Sequence, residues 1–259
     1  MMKACEIAAA IEMYAPLSLQ EHWDNSGFCI GDGNSEVHKA LVGFDCTEAL
    51  IKEAVEVGAD MVITHHPLIF GGIAKISMAT ETGRAVISAI RNGVTVYACH
   101  TNMDKVPGGV SGRTASCIGL QNVRVLDSDV DGNGLGVIGD LPSPMFAGAF
   151  LEHMKQRLGL DVIRHSRLPG TPVSRVALCG GSGRSLIAMA QKAGADVYVS
   201  GDISYHDFYA PDGMMIADIG HFESEVKILD VIYGIVREKI PNFAVQIAGK
   251  STINPVYYF

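Results

Sequence analysis

The residues most capable of chemistry in this chain are histidines and carboxylates that directly follow apolar, strand-like runs. In two of the three segments that carry them, a histidine follows the apolar run and a carboxylate comes four residues later: His100 with Asp104, and His221 with Glu225. Imidazole nitrogens and carboxylate oxygens, without thiolates, suit divalent zinc, iron or manganese. The candidate ligands are His65, His66, Asp104, His221 and Glu225. Together they predict a site for two metal ions.

The spacing within the first two segments limits what their side chains can do. Successive side chains of a strand point to opposite faces, so His65 and His66 are expected to diverge. They either serve different ions of a pair, or one binds while the other supports it. Asp104 follows a buried strand and is a hard ligand that can bridge two ions, with a helix or turn cap as its structural alternative. His100 either binds an ion or orients a ligand.

A second group of candidates lies in the later part of the chain. His221 and Glu225 begin a predicted helix, where positions four apart share one face. Asp202 and His206 follow another apolar run and are interpreted as substrate-side groups or as supports for ligands. The glycine-rich turn at 180–183 either presents backbone amides to a phosphate or is a tight strand-to-helix turn.

The elements that position these residues form a repeated pattern. Residues 40–66 align without a gap with residues 176–202. In the first half, strands at 40–44, 61–64 and 94–98 alternate with helices, which predicts a parallel sheet covered by helices. We therefore predict an α/β fold of two α/β domains, built from a duplicated strand–helix unit.

A change in composition sets the predicted domain boundary. Residues 127–143 are rich in Asp, Gly and Pro and interrupt the repeated pattern. We place the first domain at 1–126 and the second at 127–242, with one long helix over about 223–239. The closing segment 243–259 contains a last strand that is free to return to the sheet of the first domain.

Composition and charge exclude several classes of function. The 259 residues are 48% hydrophobic and 19% charged, which is typical of a globular protein. A net charge of −8 argues against nucleic acid as a partner but not against a small anion bound near metal ions. The chain has no membrane-spanning apolar run, and Glu6 and Glu12 interrupt any signal-peptide core, so we expect a cytoplasmic protein. None of its six cysteines has Cys-x-x-Cys spacing, and Cys46, Cys99 and Cys179, at or just after predicted buried strands, are expected to be reduced core thiols.

Several motifs resemble, in order and spacing over nearly the whole chain, the family of Nif-three-like dinuclear metal-centre proteins. These motifs include Trp23-Asp-Asn-Ser-Gly-Phe, Thr64-His-His-Pro-Leu-Ile-Phe, His100-Thr-Asn-Met-Asp104 and Gly220-His-Phe-Glu-Ser-Glu225. The resemblance implies two divalent ions held by the five candidate ligands, with Asp104 or Glu225 bridging them. It also implies two α/β domains facing each other across the metals and a ring-shaped homohexamer.

Some members of that family are named GTP cyclohydrolase I type two, which implies a hydrolase acting on a nucleotide-like substrate such as GTP. Two bound ions lower the pKa of water and polarise the attacked atom. Asp45, His100 and His206 are the candidates for a general base. The alternative function is a non-catalytic, metal-dependent binding or regulatory protein, in which the ions organise a ligand site without turnover. The two differ in whether an open coordination position and a nearby base exist.

Overall fold

The computed structural model describes residues 1–209 and 213–259, and it separates into two compact units. The first unit comprises Met1–Met103 and Ile228–Pro255, and the second comprises Asp104–Lys227 and Val256–Phe259. Each unit contains one main β-sheet and several helices. The predicted α/β class is therefore confirmed.

The first unit is built around a five-stranded sheet with the order β13-β4-β5-β6-β2. Its first four strands are parallel, and β2 is antiparallel to β6. A short antiparallel pair, β1 with β3, lies apart from this sheet. The elements are β1 (Met2–Lys3), α1 (Ala4–Glu12), β2 (Gly27–Ile30), β3 (Glu36–Val37), β4 (Lys39–Gly43), α2 (Glu48–Glu56), β5 (Met61–Thr64), α3 (Glu81–Asn92), β6 (Thr95–Ala98), α9 (Ile228–Lys239) and β13 (Ala244–Ile247).

Local signals in the sequence explain these boundaries. Every residue of β5 and of β6 is buried, as expected for parallel strands covered on both faces. The hydroxyl of Thr47 accepts a hydrogen bond from the backbone N–H of Leu50 and caps α2. Gly93 ends α3 in the left-handed conformation. Helices α2 and α3 share one apolar core with the sheet, while α1 packs against α9.

The second unit is built around a six-stranded sheet with the order β7-β8-β10-β11-β12-β9. Its strands β10, β11 and β12 are parallel and follow one another in the sheet, as β4, β5 and β6 do in the first unit. The elements are α5 (Val110–Ile118), β7 (Gln121–Ser128), β8 (Gly134–Met145), α6 (Ala147–Leu158), β9 (Arg164–His165), β10 (Val173–Leu178), α7 (Ile187–Lys192), β11 (Val197–Ser200), β12 (Met215–Asp218) and α8 (His221–Glu225).

The structure divides the chain differently from the boundary predicted at 127–143. Those residues belong to the antiparallel hairpin of β7 and β8, whose turn uses the same Asp and Gly residues that linkers favour. The chain passes from the first unit to the second within the short helix α4 (Thr101–Lys105). It returns to the first unit at Ile228, and β13 then pairs in parallel with β4, so the closing strand does join the first sheet.

The single helix predicted over about 223–239 is two helices. α8 ends at Glu225 and α9 begins at Ile228. Residues 226 and 227 separate them, and the boundary between the compact units lies at the same place. The sequence concealed this break because only two residues separate the helices and neither is a glycine or a proline.

Among the described residues, none of the helices is both long and apolar enough to span a lipid bilayer. All six cysteines are free thiols, and Cys46, Cys99 and Cys179 are buried. These three are therefore core residues, as the sequence predicted.

Candidate metal centre

The candidate residues of the first unit lie at one edge of its sheet. Asp45 comes shortly after β4, His65 and His66 follow β5, and His100 follows β6. These three strands are parallel neighbours, so their carboxyl ends meet at the same edge. Ligand sites of open α/β sheets occur at this edge because polar side chains emerge there beyond the buried strands.

His65, His66 and His100 form a compact cluster, called here the histidine cluster. One ring nitrogen from each lies within 4.8 Å of the corresponding atoms of the other two. The buried ring of Phe44 stacks on His65 at a centroid distance of 5.7 Å and meets His66 edge-on at 4.7 Å. The structure thus brings His100, predicted as either a ligand or a support, together with both adjacent histidines.

Each ring of the histidine cluster has an acceptor on its Nδ1 atom. The three pairs are His65 with the carbonyl oxygen of Cys99 at 3.1 Å, His66 with Asp45 Oδ1 at 2.8 Å, and His100 with Asp24 Oδ1 at 2.8 Å. An acceptor at Nδ1 places the proton of a neutral imidazole on that atom and leaves the lone pair on Nε2. This arrangement is typical of metal-binding histidines, whose outer partner fixes the tautomer and the ring orientation.

Asp24 is a candidate supporting residue that the sequence did not indicate. Its buried side chain contacts Nδ1 of His100 and accepts hydrogen bonds from the backbone N–H of Thr101 at 3.0 Å and its hydroxyl at 2.5 Å. Burial raises the pKa of Asp24, but the hydrogen bonds from His100 and Thr101 outweigh it and hold the pKa below its ordinary value. The signal available in the sequence was that Asp24 lies just before β2. In the structure β2 pairs with β6, the strand that His100 follows.

The candidate residues of the second unit also lie close to one another. His221 Nδ1 lies 2.8 Å from Asp202 Oδ2, and His221 Nε2 lies 3.1 Å from Glu225 Oε2. Two atoms that bind one ion at about 2.1 Å are roughly 3.0–3.4 Å apart, so the second distance suits a shared ion. Asp202 has φ of +51°, an unusual backbone conformation of the kind that concentrates at functional sites.

Asp104 belongs with Glu225 in this second group. One carboxylate oxygen from each lies within 4.8 Å of the other. Burial raises the pKa of the Cys179 thiol to about 12, with further increases from the charges of Asp104 and Glu225. Cys179 is therefore a protonated core thiol near two acidic groups. The negative charges of these two carboxylates favour binding of a cation beside them.

The glycine-rich turn at 180–183 fits the structural alternative rather than the phosphate site. Its backbone N–H groups donate within the protein, to Ser111 Oγ from Gly180, to Ser224 Oγ from Gly181 and to Ser200 Oγ from Gly183. A phosphate would need these same donors. The turn instead makes room for the carboxylate of the candidate ligand Glu225, because a Cβ atom at Gly181 would collide with Glu225 Oε1.

We expect the substitution Gly181→Ala to weaken metal binding by about 10–100-fold, the usual cost of disturbing the surroundings of a ligand. Its new methyl group must displace the Glu225 carboxylate. Gly194→Ala is the matched control, since Gly194 also has positive φ (+77°) but its nearest neighbour would be Arg175 Nη1 at 3.9 Å. Titration with a competing chelator measures both affinities. If both variants lose the same amount of affinity, backbone strain and not the collision with Glu225 is the cause.

His206 lies in an exposed 3-10 helix, Tyr205–Phe208. Its ring meets Tyr205 edge-on at a centroid distance of 5.3 Å, and it borders a depression of about 560 Å³ with Arg184 and Asp207. Of the three base candidates, Asp45 and His100 lie in the first unit, where Asp45 contacts His66 and His100 belongs to the histidine cluster, whereas His206 lies in the second unit.

The sequence model of the family described as Duf34/NIF3 (NGG1p interacting factor 3) matches residues 2–255. The chain belongs to the Duf34/NIF3 family. The resemblance seen in the sequence motifs is therefore confirmed over nearly the full length, and the matched range contains the candidate metal ligands.

Individual relatives agree with membership in the Duf34/NIF3 family. A protein of Clostridium perfringens named "GTP cyclohydrolase 1 type 2 homolog" is 35% identical over 258 residues and 98% of both chains. The crystal structure of a Bacillus cereus protein related to NIF3 has a TM-score of 0.92 at 25% identity, covering 100% of this chain and 99% of that one. The Staphylococcus aureus protein SA1388 has a TM-score of 0.91 at 27% identity, with the same coverage.

Proposed function

We propose that this protein is a metal-dependent hydrolase in which His65, His66, Asp104, His221 and Glu225 bind two divalent ions. The observation that carries the proposal is the acceptor on Nδ1 of each of the three histidines in this set: Cys99, Asp45 and Asp202. A histidine held in this way presents the Nε2 lone pair that a metal requires. The set contains nitrogen and oxygen donors without thiolate, which suits zinc, iron or manganese.

The surroundings of the ligands fit bound cations. Asp104 and Glu225 carry two negative charges within 4.8 Å of each other, and Glu225 is only 4% exposed. Burying two like charges so close together is unfavourable unless a cation or a proton neutralises them. Two divalent ions bring about four positive charges, so a surplus would remain to attract an anionic substrate despite the net charge of −8.

Bound ions of this kind lower the pKa of water and polarise a substrate oxygen. The residues around them have distinct roles in the proposal. Asp45 and Asp202 orient His66 and His221, while Asp24 holds the ring of His100 beside His65 and His66. His100 is our candidate for proton exchange with the substrate. A GTP-like substrate is suggested by relatives named "GTP cyclohydrolase 1 type 2 homolog".

Metal loading should give about two divalent ions per chain, because five protein ligands are more than the three or four that one such ion usually takes. Elemental analysis of the purified protein after dialysis against zinc, iron or manganese measures this number. A value near zero in a folded sample would contradict the metal site and with it the proposed function.

The reaction is tested by incubating the metal-loaded protein with a panel of nucleotides. Opening of the purine ring changes the ultraviolet absorbance, and hydrolysis of phosphate bonds releases protons, so both can be followed directly. Turnover supports the hydrolase. Saturable binding without product favours the binding or regulatory alternative. The homohexamer implied by the resemblance is part of the same proposal, and light scattering of the metal-loaded sample tests it.

A further inference from the structure

Two large aromatic side chains lie on the surface next to the histidine cluster. Trp23 is 51% exposed and Phe70 is 61% exposed, and their ring centroids are 5.6 Å apart with the ring planes inclined by 55°. Both rings meet His100 nearly edge-on, at 6.1 Å for Trp23 and 6.0 Å for Phe70. Phe44, by contrast, packs against the same cluster from the buried side and is 2% exposed.

The protein holds this aromatic pair in a fixed position. The side chain amide of Asn25 donates to the carbonyl oxygen of Ile69 at 2.8 Å and so ties the segment of Trp23 to that of Phe70. The next residue after Trp23 is Asp24, whose carboxylate contacts His100 and accepts hydrogen bonds from Thr101. The network that orients a histidine of the cluster therefore also positions the exposed rings.

Exposed aromatic rings fixed beside a polar cluster suit one class of ligand. Keeping two large apolar faces in water is unfavourable, and a flat ring that stacks on one and meets the edge of the other would cover both. Nucleobases stack on protein aromatics in this way, and every base offers a π-face. An aliphatic ligand would gain area but not the stacking geometry.

We propose that Trp23 and Phe70 bind the planar heteroaromatic ring of the substrate, such as a nucleobase, beside the histidine cluster. The inference rests on the proposed function, because it assigns the ring of a nucleotide-like substrate to a site of its own. It also gives Phe70 and Trp23 a part in specificity: a substrate with a flat ring binds more tightly than its anionic portion alone.

The single tryptophan of the chain provides the test. Zinc-loaded protein is titrated with GTP, ATP and UTP, and with inorganic triphosphate, which lacks a ring. We expect nucleotides to change the fluorescence of Trp23 saturably and triphosphate to leave it nearly unchanged. Calorimetry on Trp23→Leu and Phe70→Leu should show nucleotide affinity about 5–100-fold weaker, with triphosphate affinity retained. Phe146→Leu, at a residue 66% exposed in the other unit, is the matched control.

The outcomes separate this proposal from that of the metal site. Metal content is measured on every sample. A wrong assignment of the metal ligands would lower the metal content, whereas a wrong assignment of the ring site would change only the comparison of nucleotide with triphosphate affinity. If a fully metal-loaded protein binds no nucleotide more tightly than triphosphate, the ring site is overturned. The ring site is also overturned if both leucine variants keep wild-type nucleotide affinity. If these variants change only the molecular mass measured by light scattering, the two rings form a contact between copies of the chain instead.

Discussion

Replacing His221 with alanine is expected to remove about one divalent ion per chain, whereas His100→Ala should keep both ions at saturating metal but bind them about 10–100-fold more weakly. His221 Nε2 lies 3.1 Å from Glu225 Oε2, so its imidazole is placed as a direct ligand. The resemblance to the family assigns His100 no direct bond to metal. Metal titration followed by elemental analysis counts the ions in each variant.

His38→Ala is the control for this comparison. His38 is an exposed histidine whose Nδ1 also lies near a carboxylate, Asp60 Oδ2 at 3.1 Å, but it is not part of either candidate group. We expect it to keep wild-type metal content. Equal loss of an ion from the His221 and His100 variants would instead make His100 a ligand, which its place in the histidine cluster permits. Full metal in His100→Ala with loss of turnover would support its role in proton exchange.

Removal of both metal ions by a chelator is expected to lower the unfolding temperature of the wild-type protein by roughly 20 °C. Two ions, each at 1,000 times its dissociation constant, stabilise the folded state by about 8 kcal/mol, and each kcal/mol corresponds to about 2–4 °C in a chain of this size. In Glu225→Gln this dependence on metal should largely disappear, because the amide carries no charge to bind the ion. Thermal unfolding with and without chelator measures the difference.

The metal-free Glu225→Gln variant should be at least as stable as the metal-free wild type. Glu225 is 4% exposed and shares its surroundings with Asp104, so removing one of the two charges relieves their repulsion. Glu223→Gln, the same substitution on the same helix α8, is the control and should keep the response to the chelator. A chelator effect that survives in Glu225→Gln would exclude Glu225 as a ligand.

The sequence predicted well what depends on neighbouring residues. β5 was predicted at its observed bounds, because an apolar run in a parallel strand is a signal that acts over a few residues. His65 and His66 stand directly after β5, so their place at a strand end followed from the same local signals. The boundary at 127–143 failed because hairpin turns and linkers use the same residue types.

The sequence by itself determined the succession of strands and helices and the residue types at the strand ends. Only the tertiary structure decided how those residues are supported. Asp24 contacts His100 across 76 positions of the chain, and Ser224 accepts the N–H of Gly181 across 43. Such pairs arise when the sheet brings distant segments together, and no local pattern records them. The return of the chain to the first unit at Ile228 also depends on distant contacts. There α9 packs against α1, and β13 pairs with β4.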